Sequence, residues 1–289
     1  MVASPEREVE DVPADGLDRP GGLLAWVAEE LGMRVDGSRG RDLASVLRPA
    51  QVALERSARG PLSRALAVDG ALRDRVIAAA TITETQFMRS PSQLGLLAAW
   101  LLPELQARRR AAASFALRIW SAGCASGEEA YSLAMLLLES VRPASAWNLE
   151  VLGTDINGEA LARAERGVYG RRSVAGLSPA HRERYFERRG DSGLAVRPEL
   201  RRVVRFARRN VLEAPPSGPF DVIVCRNLLI YLHPEAVAAA LEGFAKALAP
   251  DGFLLLGDAD LPVLHSGRWR RARLGDSAYH CLTVEDRKR

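Results

Sequence analysis

The feature that most constrains this chain is a rhythm that begins at Leu117. Short apolar runs, "LRIWSAG", "LEVLGTDI", "VVRFARRN", "FDVIVCRNLL" and "GFLLLGDA", alternate with helical stretches, "EEAYSLAMLLLES", "GEALARAERGVY" and "PEAVAAALEGFAKAL". Strands alternating with helices predict an α/β fold built on a parallel, doubly wound sheet. The stretch "WRRARLGDSAYHCLTVE" then predicts a terminal antiparallel hairpin turning at Gly275 and Asp276.

Three regions break the rhythm. From Gly21 to Ala80, "GGLLAWVAEELGM", "RDLASVLRPAQVALERSARG" and "ALRDRVIAAATI" carry apolar residues at spacings of three and four, punctuated by Gly32, Gly60 and Pro61. That pattern predicts a small helical domain. After it, "TITETQFMRSPSQLGLLAAWLLPEL" predicts a capped loop entering another helix. Residues 171–203 are too long for an ordinary connection. Their "RYFERRGDSGLAVRPEL" holds two short extended pieces around Gly190 and Gly193, which predicts an inserted β-subdomain. The expected division is an acidic, disordered tail over 1–20, a helical domain over 21–90, and the sheet domain over 91–289. The tail has six acids against Arg7 between Met1 and Asp18.

Composition removes several classes. The chain has 289 residues, 47% of them hydrophobic, enough for a sizeable core. No uncharged apolar run reaches the roughly 18 residues of a membrane span, and no basic and apolar leader opens the sequence. A cytoplasmic protein without membrane insertion is therefore expected. Cys124, Cys225 and Cys281 are odd in number and widely spaced, and His181, His233, His265 and His280 are scattered, so neither a disulfide framework nor a metal site is expected. The net charge of +4 is uneven: 14 arginines face 5 acids between Leu161 and Asn210. Such a block suits nucleic acid, an acidic protein, or plain solvation.

Ligands of a doubly wound sheet bind at the carboxyl ends of its strands. The loop "SAGCASGEE" follows the first strand, and Asp155 ends the second. Glycines there let a ligand approach the backbone, and the acid can accept both ribose hydroxyls, which points to an adenosine-containing ligand. Glu128 and Glu129 open the next helix, where they would repel a pyrophosphate. The loop is also GxxxG rather than GxGxxG, with no GK[ST] after it, so NAD and ATP fit poorly. S-adenosylmethionine, with an ammonium, a sulfonium and no phosphate, fits better.

On these residues the chain resembles the bacterial chemotaxis receptor methyltransferases of CheR type. The matching stretches are "TITETQFMRSP", "RIWSAGCASGEEAYSLAMLL", "GTDINGEALARAERGVYGRRS", "LSPAHRERYFERRG" and "GPFDVIVCRNLLIYLHPE", in order over most of Thr81–Gly257. The resemblance implies a Rossmann-like class I methyltransferase sheet, S-adenosylmethionine as cofactor and S-adenosylhomocysteine as product. It also implies a protein-glutamate O-methyltransferase that acts on the cytoplasmic helical bundle of methyl-accepting chemoreceptors. By motif position it assigns cofactor contacts to Thr83, Thr85 and Arg89, to Glu129 and Asp155, to Asn210 with Val211, and to Cys225, Arg226 and Asn227. Arg89 and Tyr231 are the candidate catalytic pair, the first gripping a carboxylate and the second hydrogen-bonding the attacking one. Where the family often has "GHSE", this chain reads "GDAD" up to Asp260, which leaves the polar roles of those positions open.

A methyltransferase acting on RNA or a small molecule is the rival enzyme. The (N/D)PP(Y/F) tetrapeptide expected of an amino-methylating enzyme is replaced here by "CRNL". A non-catalytic cofactor-binding regulatory module is the rival of another class. The acidic substrate is expected to dock on the helical domain, where Arg48, Arg56, Arg59, Arg64, Arg73 and Arg75 outnumber Glu55, Asp69 and Asp74. Some family members capture a receptor's C-terminal peptide on the inserted sheet. The turn "ERRGDSGLAV" is shorter here, so no tethering pentapeptide is expected, nor nucleic acid, and the protein is expected to be a monomer.

Overall fold

The computed structural model describes residues 22–57, 62–190, 193–260, 268–275 and 277–283. The acidic tail, Arg59, the side chains of Arg56 and Arg64, and Asp276 of the last turn lie outside the described residues. Contacts divide the chain into two units, Met1–Glu30 with Arg34–Ala80, and Leu31–Met33 with Thr81–Arg289.

The first unit is helical. Its elements are α1 (Leu23–Leu31, the last residue counted with the second unit), α2 (Gly37–Ser57), α3 (Leu62–Val68) and α4 (Gly70–Ala80). Each helix buries a stripe, including Leu23 and Val27 of α1, Leu43 and Leu47 of α2, Leu66 of α3, and Leu72, Val76 and Ile77 of α4. The short α3 adds to the sequence reading, because seven residues scarcely span two turns and show no period.

The second unit opens with α5 (Pro91–Leu96), a π-turn (Leu97–Leu101) and α6 (Leu102–Ala111). In the π-turn the Leu102 N–H reaches back to Leu97 O. Pro103, which has no N–H to give, follows at once. Then come β1 (Ala116–Ala122), α7 (Glu128–Ser140), β2 (Asn148–Asp155), α8 (Gly158–Arg166), β3 (Val168–Tyr169), α9 (Pro179–Tyr185), β4 (Phe186–Arg189) and β5 (Gly193–Val196). The chain ends with α10 (Pro198–Arg201), β6 (Val204–Arg208), β7 (Phe220–Cys225), α11 (Pro234–Ala247), β8 (Leu248–Leu256), β9 (Trp269–Leu274) and β10 (Ser277–Leu282).

Seven strands form one sheet in the order β6-β2-β1-β7-β8-β10-β9. β1 pairs in parallel with β2 on one side and β7 on the other, so strand order reverses there. This is the doubly wound, Rossmann-like sheet that the sequence predicts. Parallel strands covered on both faces read as unbroken apolar runs, and β7 is buried at all six positions, even Asp221. The Asp221 carboxyl, pushed up by burial, takes the Arg118 N–H and the Arg109 Nε. Arg109 of α6 also grips both oxygens of Asp251 and holds that carboxyl below its ordinary range. The terminal hairpin is present, with β10 antiparallel between β8 and β9.

A second, antiparallel sheet has the order β3-β5-β4. Its β4–β5 hairpin occupies the expected insert, but β3 corrects the reading of "GEALARAERGVY" as helix throughout. Gly167, at φ +64, ends α8, and Val168–Tyr169 then pair with β5. No helix among the described residues is long and apolar enough to cross a membrane.

Candidate active site

A cleft opens where β1, β2, β6 and β7 end. Gly123 and Ala125 line it from the loop after β1, and Thr154, Asp155 and Ile156 from the end of β2. Arg209, Asn210 and Val211 follow β6, and Asn227, Leu228, Tyr231 and Leu232 follow β7. Leu31, Met33, Thr81 and Ile82 complete the lining. Its empty volume, counting the open mouth, is about 740 Å3. Met33 reaches it because Met33 bridges Leu232 and the His233 N–H bonds Gly32 O at 2.9 Å.

Asp155 presents the cleft's carboxylate. Oδ2 accepts the Ala125 N–H at 2.8 Å and Oδ1 accepts the Asn157 N–H at 2.9 Å. Burial pushes the carboxyl up, and these N–H groups pull it back. Each oxygen keeps lone-pair capacity for a hydroxyl.

The two glutamates that open α7 find their partners inside the protein. Glu128, 2% exposed, accepts from Ser126 Oγ at 2.7 Å and Ser173 Oγ at 2.8 Å. Glu129 accepts from Ser121 Oγ at 2.6 Å and from Arg226 Nε at 2.7 Å. Gly127 precedes them at φ +91, and a Cβ there would lie 2.7 Å from Ala164 Cβ. Only glycine suits that position. The start of α7 is thus filled by the protein's own carboxylates, and a pyrophosphate would meet them.

The segment 81–90 is tied to the same region. Asn157 Nδ2 donates to Thr81 Oγ1, the Phe87 N–H to Ser173 O, and the Met88 N–H to Ser132 Oγ. Arg226 Nη1 donates to Arg89 O at 2.7 Å, so one buried guanidinium joins this segment to Glu129. The Arg89 side chain donates to Glu84 O, and Thr83 Oγ1 accepts from Arg163.

Of the residues expected from the sequence, the structure gathers Asp155, Asn210, Val211, Asn227 and Tyr231 around the cleft. Thr83, Thr85, Arg89, Glu129, Cys225 and Arg226 stand back from its lining. The Cys124 and Cys225 thiols are pushed well up by burial, which keeps both protonated and unreactive. Sequence reasoning missed Leu31, Met33, Ile82 and Leu232, whose apolar walls suit an adenine ring. Ile82 and Leu232 lie inside the matched stretches without standing out in them, and Leu31 and Met33 carry no motif, since the Met33–Leu232 bridge and the Gly32–His233 bond bring residues 31–33 there.

Several arginines of the basic block donate to carbonyl groups. Arg201 donates to Glu165 O and Arg166 O at the end of α8, Arg182 to Val174 O, Arg197 to Phe186 O and Arg208 to Ile156 O. Among the described residues no group of three or more His, Cys, Asp or Glu could hold a metal ion. The cleft has one carboxylate with spare acceptor capacity, apolar walls and a helix start closed to phosphate. These features fit S-adenosylmethionine.

Residues 83–272 match the family described as CheR methyltransferase, SAM binding domain. The chemotaxis protein methyltransferase of Vibrio parahaemolyticus is 37% identical over 193 residues, 65% of this chain and 68% of that protein. That of Listeria monocytogenes is 34% identical over 220 residues, 76% of this chain and 80% of that protein. An uncharacterized 104.1 kDa protein of Rhodobacter capsulatus is 38% identical over 183 residues, and the match spans only 19% of its length. The chain belongs to the CheR family of S-adenosylmethionine-dependent, chemotaxis-type methyltransferases.

Proposed function

We propose that this protein methylates glutamate side chains on the cytoplasmic helical bundle of methyl-accepting chemoreceptors, giving glutamyl methyl esters. The observation that supports this reading is a cleft lined by the Asp155 carboxylate and, among the described residues, by no histidine or other neutral base. When bound, the cofactor supplies an electrophilic methyl group on a sulfonium centre. An acceptor glutamate, with pKa near 4.3, is already ionised at neutral pH, so no base is required of the protein. What the residues must do is orient two reactants and exclude water.

In this reading Asp155 accepts the ribose hydroxyls, and Asn210, Val211 and Asn227 flank the nucleoside. Thr83, Thr85, Glu129, Cys225 and Arg226 belong to the surrounding ring, on the family motifs they occupy. Arg89 grips a carboxylate in the bidentate manner open to guanidinium, and Tyr231 donates its hydroxyl to the acceptor. The helical unit receives the acidic substrate. The protein works in the cytoplasm, as a monomer, without nucleic acid and without a tethering pentapeptide.

Product formed from methyl-labelled cofactor and receptor should release volatile methanol in mild alkali. A label stable to base would sink the ester and favour the RNA or small-molecule reading. The same assay on receptor lacking its C-terminal pentapeptide should give an unchanged rate, and a large drop would show that tethering is needed.

Asp155→Ala should weaken S-adenosylhomocysteine binding by about 1–3 kcal/mol, from lost ribose hydrogen bonds and a loosened Ala125 loop. Calorimetry on the folded variant checks this, and an unchanged Kd would take Asp155 out of the site.

A further inference from the structure

Asp260 ends the stretch "GDAD" and is 0% exposed, yet it does not line the cleft. Its Oδ2 accepts the N–H of Asn227, and its Oδ1 accepts the N–H of Ile230 at 3.1 Å. Both donors belong to the loop leaving β7, which delivers Asn227, Leu228, Tyr231 and Leu232 to the cleft. That loop has little to hold it by itself. Asn227 stands in the left-handed region at φ 58, and Leu229–Tyr231 form a single 3-10 turn. Asparagine visits that region at modest cost, but a lone turn of this kind does not fix its own orientation.

The seat for the carboxylate is closely fitted. A Cβ on Gly257 would lie 2.6 Å from Asp260 Oδ2 and 3.1 Å from the Asn227 nitrogen. Neutral donors could cap such a turn for stability alone. Here, however, the bonds fall on the nitrogen of Asn227, itself a cleft residue, and on that of Ile230, which immediately precedes Tyr231.

We propose that Asp260 is a positioning residue for methyl transfer, holding Asn227 and Tyr231 in place through the backbone of the loop after β7. This rests on reading the cleft as the cofactor and acceptor site. It also gives the departure from "GHSE" a chemical sense, since a carboxylate stands at the fourth position in both.

Asp260→Asn preserves size but turns an amide NH2 toward a backbone donor. It should raise the Kd for S-adenosylhomocysteine about tenfold and lower kcat at saturating receptor by a similar factor. Asn227→Ala should also raise that Kd. The double variant should bind no more than about twofold more weakly than Asn227→Ala alone, because the two act through one contact. Gly257→Ala, which displaces the carboxylate sterically, should copy Asp260→Asn. All measurements belong well below each variant's own Tm. Wild-type Kd and kcat in Asp260→Asn, or losses that add in the double variant, would overturn the proposal while leaving the cofactor reading intact. An unchanged Kd in Asn227→Ala would overturn the cofactor reading and this proposal with it.

Discussion

Replacing Arg226 with methionine should cost about 3–5 kcal/mol of folding stability and abolish methyl transfer. The Arg226 side chain is 4% exposed and ion-paired with Glu129, which is 10% exposed. It also donates to the carbonyl of Arg89. Methionine would fill the stem's volume but leave the Glu129 carboxylate with Ser121 Oγ as its remaining donor. An ion deprived of its partner in a low-dielectric interior carries most of that cost, more than the pair is worth as a pair. Lysine should recover only part of the loss, since it keeps the charge without the fork that serves two acceptors. Adding Glu129→Leu to the methionine variant should restore stability but not activity, because the link to the Arg89 segment stays broken. Denaturant midpoints with their slopes decide the matter. A loss below about 1 kcal/mol, the range of exposed pairs, would mean that the pair is not effectively buried.

Acidification should weaken the fold by about 3 kcal/mol through His280 alone. His280 lies on β10, in register with Leu254 of β8 and Arg271 of β9, and is 0% exposed. Neither ring nitrogen makes a well-formed hydrogen bond among the described residues, although the Leu254 backbone beside the ring partly favours the proton. Burial first, and the Arg271 charge second, lower its pKa from 6.5 to about 4. A histidine lowered in the folded state takes up its proton more readily when unfolded. Stability is therefore intact above about pH 6.5 and is lost progressively toward about pH 4. Asp251 and Glu242, held low by Arg109 and Arg268, add to the loss in acid, whereas Asp155, Asp221 and Asp260, pushed up by burial, oppose it. Comparing wild type with His280→Leu isolates the histidine. The two curves of unfolding free energy against pH should diverge across that window, and parallel curves would refute the assignment.

What the sequence discloses here follows from how local each feature is. The helix Glu128–Ser140 is legible to the residue, because a left-handed glycine, two first-turn acids and a continuous apolar stretch all lie within one short segment. β7 is equally plain, being apolar at nearly every position. The partners of Glu128 and Glu129 are not legible. Ser173 lies 45 residues from Glu128, and Arg226 lies 97 from Glu129. First-turn acids announce a favourable dipole position, but only tertiary packing decides whether they meet ligand or protein. β3 was hidden for a related reason, since two residues after a helix cap have no period, and their strand character comes from pairing with β5. The cleft's strand-end residues were readable as motifs, whereas its apolar wall from residues 31–33 depends on a contact made 200 residues along the chain.

The small sheet between β2 and β6 also bears on how the large one can assemble. Pairing β6 against β2 requires the chain to close a loop of about 50 residues, and closure entropy grows with the logarithm of that length. β3, β4 and β5 take their strand partners from one another, so once they have paired, Val168 and Ala195 become neighbours. The effective loop then shrinks to about 20 residues, which lowers the closure cost by about 0.8 kcal/mol. Any folding order in which the small sheet pairs first therefore reaches the strand order of the cleft at a lower entropic cost.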